Sequence, residues 1–393
     1  MIAVELAQAR VLADLAPMPP ENIALSQALG RVLAEDGTAR VAHPPVAVSS
    51  MDGYALRAMD APGPLAVIGQ SAAGHPFADM VQPGQAVRIF TGAALPAGAD
   101  CVAMQEDCHR DGDLLHVAAE TEMGRHVRPA GMDFRAGQVL LTAGTLLGPR
   151  HIALAAAMNR PWLAVRRRPR VAILSTGDEI VMPGEPLGPA QIPSSNGPAL
   201  AALVQAEGGE PLQLGIALDS RQSLSTLLAA ARGCDLLVTS GGASVGDYDL
   251  VGDVLAAHGM VLDFWKIAMR PGKPLMFGRM GGIPVLGLPG NPVAALVCGH
   301  LFLRPMLRRL LGLCAENQTI SATLGADLPA NDARQDYLRA ILRRRPDGGA
   351  TVEPLGRQDS AMLTGLAGAD GLIVRPPHAP PARTGETVPL LLL

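Results

Sequence analysis

Aromatic residues make up only 3% of this 393-residue chain, too few for the repeated stacking faces on which single-stranded nucleic acid is bound. Basic charge is not in excess either. The formal net charge is −4, whereas a duplex binder normally carries a net basic surface. The five cysteines (Cys101, Cys108, Cys234, Cys298 and Cys314) are scattered, odd in number and without a C-x-x-C pair, so neither a disulfide framework nor a zinc knuckle is indicated. No uninterrupted apolar run reaches membrane-spanning length, the richest stretch, near Leu296 to Leu311, being broken by arginines and Pro305. No N-terminal segment combines a charged start, a long apolar stretch and a small-residue cleavage site. A cytoplasmic protein with neither nucleic acid nor membrane as partner is expected.

What is present suits a soluble enzyme: 48% hydrophobic and 17% charged residues, in a chain too long for one core. Ile2 to Leu33 reads as two amphipathic helices separated by a Pro17 to Pro20 break, the first carrying Val4, Ala7, Val11 and Leu15 at helical spacing. From His43 to about Gly137, short β-rich runs (Ala66–Gly69, Ala86–Phe90, Leu114–Ala118) alternate with Gly/Pro turns, predicting a small all-β or mixed insertion. A helix over Gly148 to Asn159 follows, with Pro149 in its first turn. The basic run Arg166 to Arg170 reads either as a nucleic-acid patch or as a solvated interdomain linker; the absence of accompanying aromatics favours the linker.

From Val171 apolar strands alternate with helices, predicting a doubly wound, mostly parallel sheet covered on both faces. Beyond about Gln318, short alternating strands with Pro/Gly spacing predict a small β-barrel or sandwich. The expected fold is therefore multi-domain, α/β and β. Its divisions are 1–43 with 137–168 (helical and linker), 44–136 (inserted and β-rich), 169–317 (α/β) and 318–393 (C-terminal barrel).

Ligands of parallel sheets sit at the carboxyl ends of strands. Three such ends carry conspicuous sequences: Ser175-Thr176-Gly177-Asp178-Glu179, the run from Thr239 through Ser240, Gly241, Gly242, Ser244, Gly246 and Asp247 to Asp249, and Leu288-Pro289-Gly290-Asn291-Pro292. Glycines let backbone amides approach a phosphate, although neither a Walker G-K-S/T nor a G-x-G-x-x-G in context is present. Carboxylates beside a phosphate call for a divalent cation, usually Mg²⁺. Asp247 or Asp249 could instead cap the helix at Leu250. Arg270 and Lys273, on a loop stiffened by Pro271 and Pro274, suit an oxyanion, and Lys266 lies on the incoming strand.

These motifs, together with Ser50-Met51-Asp52-Gly53-Tyr54-Ala55 and Phe90-Thr91-Gly92, resemble the MoeA family of molybdopterin molybdenumtransferases, related to plant molybdenum-insertase and gephyrin domains. The resemblance covers nearly the whole chain. It implies a homodimer whose α/β domain is similar to the MogA adenylyltransferase fold. It also implies Mg²⁺-dependent insertion of molybdate into adenylylated molybdopterin, with release of AMP and molybdenum cofactor. Position by position, it implies that Asp52, Thr91 and Asp133 line a cleft (Asp133 being otherwise a plain surface aspartate), and that Glu179 and Asp249 hold the metal. Asp219 is either a site carboxylate or the cap of the next helix. Lys266, Arg270 and Lys273 are the cationic positions, Pro289 and Pro292 shape their neighbouring loop, and Arg339 and Ser360 lie near molybdate. Arg270 stands where many relatives have lysine, and Ala294 where serine is often found. Transient partners implied are a MogA-like adenylyltransferase and cofactor-accepting molybdoenzymes. Alternative readings on the same fold are pterin adenylylation, which would consume ATP without molybdate, and a gephyrin-like non-enzymatic scaffold.

Overall fold

The computed structural model describes residues 1–242, 250–344 and 349–393. Two compact units partition the chain, one of residues 22–165 and one of residues 1–21 with 166–393. In the first unit, a core of Leu33, Phe134, Leu147, Ala155 and Val165 knits both ends of the segment together, and the expected helix forms as Pro149–Ala157. The expected β-rich stretch is a six-stranded sheet in the order Cys101–Met104, Gly53–Leu56, Gln85–Ile89, Gly63–Ser71, Leu114–Val117, Cys108–Asp111. Alternation along Gly53–Leu56 sends Tyr54 and Leu56 into one buried cluster and Ala55 into another.

The second helix expected before Leu33 does not form. Residues 20–27 are a strand, Pro20–Ala24, and one 3₁₀ turn, Leu25–Gln27. Backbone amides of the segment bond at long range instead: Leu25 to the Pro161 carbonyl, Leu33 to Thr145 and Ala34 to Ala164. Local periodicity lost to tertiary pairing, which satisfies the same donors.

In the second unit, a six-stranded sheet runs in the order Glu210–Ala217, Arg170–Thr176, Leu236–Ser240, Ile283–Leu288, Met276–Met280, Met260–Trp265. The first four strands are parallel, Met276–Met280 runs antiparallel to Ile283–Leu288, and Met260–Trp265 runs antiparallel to Met276–Met280. Successive strand residues feed opposite cores. Val171 and Ile173 meet the helices Val4–Leu12, Asn196–Ala206 and Pro292–Cys298, while Ala172 and Leu174 meet Arg221–Ala229 and Leu250–Ala257. Burial on both faces explains why these strands read as continuous apolar runs. Truncating one, as in Leu237→Ala, would cost about 2–5 kcal/mol, which makes the sheet a rigid platform for its loops. The long last helix is continuous from Pro292, with a π-helical turn at Gly299–Leu303, to Leu310.

Beyond it, Thr319–Leu324, Gln335–Arg344, Ala350–Pro354, Gly371–Arg375 and Thr387–Leu392 close into a barrel through the pairing of Gln335–Arg344 with Gly371–Arg375. The basic connector is spent internally. Arg167 grips Asp235 with two bonds (3.0 and 2.7 Å), Arg168 donates to the Gly208 carbonyl and Arg166 to that of Met18.

Candidate active site

Parallel register brings the strand ends into line. Ser175 is opposite Ser240, and Ser240 opposite Leu288, so three consecutive strands release their loops side by side. A small cleft of about 60 Å³ opens there, lined by Ser175, Thr176, Glu179, Asn196, Ser240, Gly241 and Pro292 among others. Gly241 sits at φ +95°, where a Cβ would overlap the Thr176 carbonyl oxygen, and Gly177 at φ +141° leaves space for the Glu179 carboxylate folded over it. Thr176 Oγ1 and Thr239 Oγ1 are buried with no partner among the described residues, so polar capacity at this edge is unused. Ser244, Gly246, Asp247 and Asp249 lie outside the described residues.

The carboxylates cluster. Asp178 Oδ1 accepts from the Asp219 backbone N–H at 3.0 Å. Burial, then the charges of Asp178 and Glu179, push the Asp219 pKa up. Capping is no longer an alternative role for Asp219, because Ser220 caps the following helix, accepting from the Ser223 amide at 3.2 Å. Among the described residues none of the three acids forms an ion pair, and no ready-made group of three metal-ligating side chains converges. Uncompensated oxygen donors of this kind fit a hard cation such as Mg²⁺, and Glu179, beside the cleft, is the donor best placed to hold one.

The cationic loop is built differently from the expectation. The strand stops at Trp265, and Lys266 adopts φ +72°, with its ammonium 4.5 Å from the centre of the Trp265 ring. A left-handed lysine costs about 1–3 kcal/mol and persists only where its surroundings hold it. Met269–Arg270 pairs in parallel with Gln335–Asp336 of the barrel. Arg270, 48% exposed at the side chain, binds Asp336 and, at 3.5 Å, Asp332. The Asp336 bond raises its already high pKa. Lys273 is exposed, with no ion pair among the described residues. Ser360 docks on the third loop: Val293 N–H donates to its carbonyl and the Asn291 amide to its hydroxyl, both at 3.0 Å. Pro292 occupies the first turn of the helix that follows. Arg339 is 1% exposed.

In the other unit, Asp52 Oδ1 accepts from both the amide and the hydroxyl of Thr91, at 2.7 and 2.8 Å. Those two bonds, backbone first, hold its carboxyl below the usual range. Asp133 lines a groove of about 790 Å³ with His43, Pro44, Gly92 and Arg128.

Comparison with known proteins gives three matches in chain order: "MoeA N-terminal region (domain I and II)" over residues 2–159, "Probable molybdopterin binding domain" over 172–309, and "MoeA C-terminal region (domain IV)" over 321–393. A "Molybdopterin molybdenumtransferase" of Nostoc is 38% identical, over 91% of this chain and 85% of its own length. One of Haemophilus influenzae is 34% identical, over 99% of this chain and 98% of its own. The chain belongs to the molybdopterin molybdenumtransferase family. A molybdopterin biosynthesis MoeA protein from Pyrococcus horikoshii has a similar structure, with TM-score 0.89 at 33% identity, covering 100% of this chain and 99% of that one.

Within this family frame the second matched region contains all three strand-end loops, while Arg339 and Ser360 come from the third. Two residues that sequence reasoning passed over hold the molybdenumtransferase motifs in place. Asn196, at the start of its helix, donates through Nδ2 to Ser240 Oγ and to the Gly290 carbonyl, both at 2.8 Å, joining two of the three loops. Its signal was the hydroxyl-rich Ser194-Ser195-Asn196 run just before a helix pointing at the sheet edge. Arg88 donates to the Gly53 carbonyl and to Gln105 Oε1 (3.2 and 2.7 Å), and its guanidinium lies about 5 Å from the centres of the Tyr54 and Phe90 rings. It braces the segment carrying Asp52 from the strand leading to Thr91.

Proposed function

We propose that the chain transfers molybdenum to molybdopterin, taking adenylylated molybdopterin and molybdate as substrates and releasing AMP with the molybdenum cofactor. The observation that carries this reading is the in-register meeting of three hydroxyl- and glycine-rich strand ends with unpaired carboxylates, on a chain whose whole length aligns with molybdenumtransferases. The Gly177 and Gly241 amides donate to the Ala217 and Leu288 carbonyls and so fix the shape of the two turns, while the Gly242 amide and the Thr176 hydroxyl, which has no partner among the described residues, would donate to phosphate oxygens. Glu179, together with Asp249, would hold Mg²⁺, whose charge offsets that of the phosphoanhydride when bound.

Molybdate is a tetrahedral dianion and suits compact ammonium groups. Of the 32 basic residues only two are lysines, Lys266 and Lys273, and both flank the cationic loop. In a chain that uses arginine everywhere else, their placement supports a need for a point charge rather than a planar fork. Arg270 would contribute its charge from one edge, and Ser360 a hydroxyl. In the balanced reaction the two dithiolene thiols displace two molybdate oxygens, which leave as water with the two thiol protons and two protons from solution, and one water opens the pterin–AMP phosphoanhydride to give AMP and the pterin phosphate. Asp52, Thr91 and Asp133, in the unit of residues 22–165, would line a further cleft, and the chain would act as a cytoplasmic homodimer that receives its pterin from an adenylyltransferase and passes its product to molybdoenzymes.

Purified protein incubated with adenylylated molybdopterin should release AMP only when both molybdate and Mg²⁺ are present. AMP release that ignores chelation, or that proceeds equally without molybdate, would refute the assignment. ATP consumption by the chain alone would point to adenylylation instead.

A further inference from the structure

One end of the C-terminal barrel surrounds a cavity of about 660 Å³, where the strands Thr319–Leu324, Ala350–Pro354 and Gly371–Arg375 finish and Gln335–Arg344 begins. Both the size and the place, a barrel mouth, suit a small-molecule pocket. Pro329, Leu338 and Pro354 give it apolar walls, and Arg270 and Arg339 share its lining. Two further charged side chains in that lining are more than nine-tenths buried and incompletely satisfied. Asp336, 4% exposed, is set beside Arg270 by the pairing of Met269–Arg270 with Gln335–Asp336. Its Oδ2 accepts from Arg270 Nη2, but its Oδ1 is buried without a partner among the described residues. Arg375, 7% exposed, donates through Nη2 to the carbonyls of Pro329 and Pro380, while its Nη1 and Nε find no acceptor among the described residues.

A buried carboxylate oxygen without a donor is costly, so a cavity that holds one suits a ligand able to donate. Beside Arg375 the same ligand has to accept. A flat ring edge with adjacent N–H donors next to a carbonyl does both, its donors meeting the carboxylate in the paired geometry that guanidinium groups use. The amino-pyrimidinone edge of a pterin is built in this way. An oxyanion offers Oδ1 no donor. We propose that this cavity is the subsite for the substrate's pterin ring, with Asp336 Oδ1 accepting from the ring's N–H edge and Arg375 donating to its carbonyl, while Arg270 and Arg339 in the same lining serve the oxyanion. The identity of the ring rests on the molybdenum-transfer reading; the match of donors to acceptors does not.

Hydroxymethylpterin, which lacks the dithiolene, the phosphate and the nucleotide, tests the subsite on the intact protein, read by the polarisation of its own fluorescence. Wild type should bind it with a dissociation constant near or below about 1 mM. The lumazine analogue, whose carbonyl replaces the ring amine and faces Asp336, should bind at least about tenfold more weakly. Asp336→Asn should lose about tenfold in pterin affinity together with the preference between rings, because an amide can donate to the lumazine carbonyl as readily as it accepts. Equal binding of the two rings by wild type, a preference that survives in Asp336→Asn, or no pterin binding at several millimolar would overturn the proposal. Should Asp336→Asn fail to fold, Ala330→Phe, at an exposed position of the lining, must block the cavity, and undiminished binding there would overturn it equally. Selective ring binding by a protein that releases no AMP would sink the transfer reading and leave the subsite standing. Molybdate-dependent AMP release by a protein indifferent to the two rings would sink the subsite alone.

Discussion

Replacing Asn196 tests whether the three strand ends act as one site. Its Nδ2 group makes two bonds of 2.8 Å, to Ser240 Oγ and the Gly290 carbonyl, across loops otherwise joined by a longer bond of 3.4 Å from the Ser240 hydroxyl to the Pro289 carbonyl. Removing both in Asn196→Ala loses about 1 kcal/mol each, or about 2 kcal/mol in total. For a unit of this size that lowers the thermal midpoint by about 4–8 °C. Asn196→Asp is isosteric but turns the donor into an acceptor. Ser240 can donate back only by leaving the Pro289 carbonyl, the Gly290 carbonyl is left facing a carboxylate, and a further negative charge joins an edge already lined by Glu179. Asp should therefore be worse than Ala in activity, although it preserves volume. A misplacement of about 1 Å at such a site costs on the order of 100-fold in rate. AMP release at saturating molybdate, with scanning calorimetry on the same preparations, gives both numbers. Activity within about twofold of wild type for both variants would refute the claim that these loops must be held together.

Three other outcomes are expected. Mg²⁺ at about one hundred times its dissociation constant should stabilise the protein by about 2.7 kcal/mol, seen as a rise in thermal midpoint that Glu179→Gln abolishes; an equal rise in the variant would remove Glu179 from the metal site. The carboxyl of Asp52 is held below its ordinary value by Thr91, so its contribution to stability is complete above that value and is lost as pH falls through the lowered one. As pH falls below the ordinary aspartate value of 3.8, wild type should accordingly lose more stability than Asp52→Asn, and parallel pH curves would show that the Thr91 bonds do not stabilise the charged form. Among the cysteines, exposed Cys314 should alkylate first, because burial pushes Cys108 up to about 11 and Cys101 up to about 12 and raises Cys298 as well. Mass spectrometry of the native protein after brief labelling checks the order.

What could be read from the chain was whatever is encoded within a few neighbouring residues. Val171 to Ser175 and Leu236 to Val238 announce buried strands because both faces of a covered sheet demand apolar side chains. The hydroxyl and glycine runs that follow announce a ligand edge because strand ends are where such loops are used. Partnerships between distant residues were not legible. Asp219 could have been a helix cap or a site carboxylate, and only the folded chain, with Ser220 already capping, separates those roles. The stretch up to Leu33 had a helix-compatible pattern, and the amides of Leu25 and Leu33 found the carbonyls of Pro161 and Thr145 instead.

The same division holds within the site itself. Sequence alone determined which residue types the strand ends deliver, since backbone preference and burial act locally. Tertiary structure decided what each side chain holds. Arg270 reaches the barrel's Asp336, Arg339 turns inward onto a loop, and Asn196 bridges two turns. A hydrogen-bond donor carries no mark of its acceptor until packing has brought that acceptor within about 3 Å.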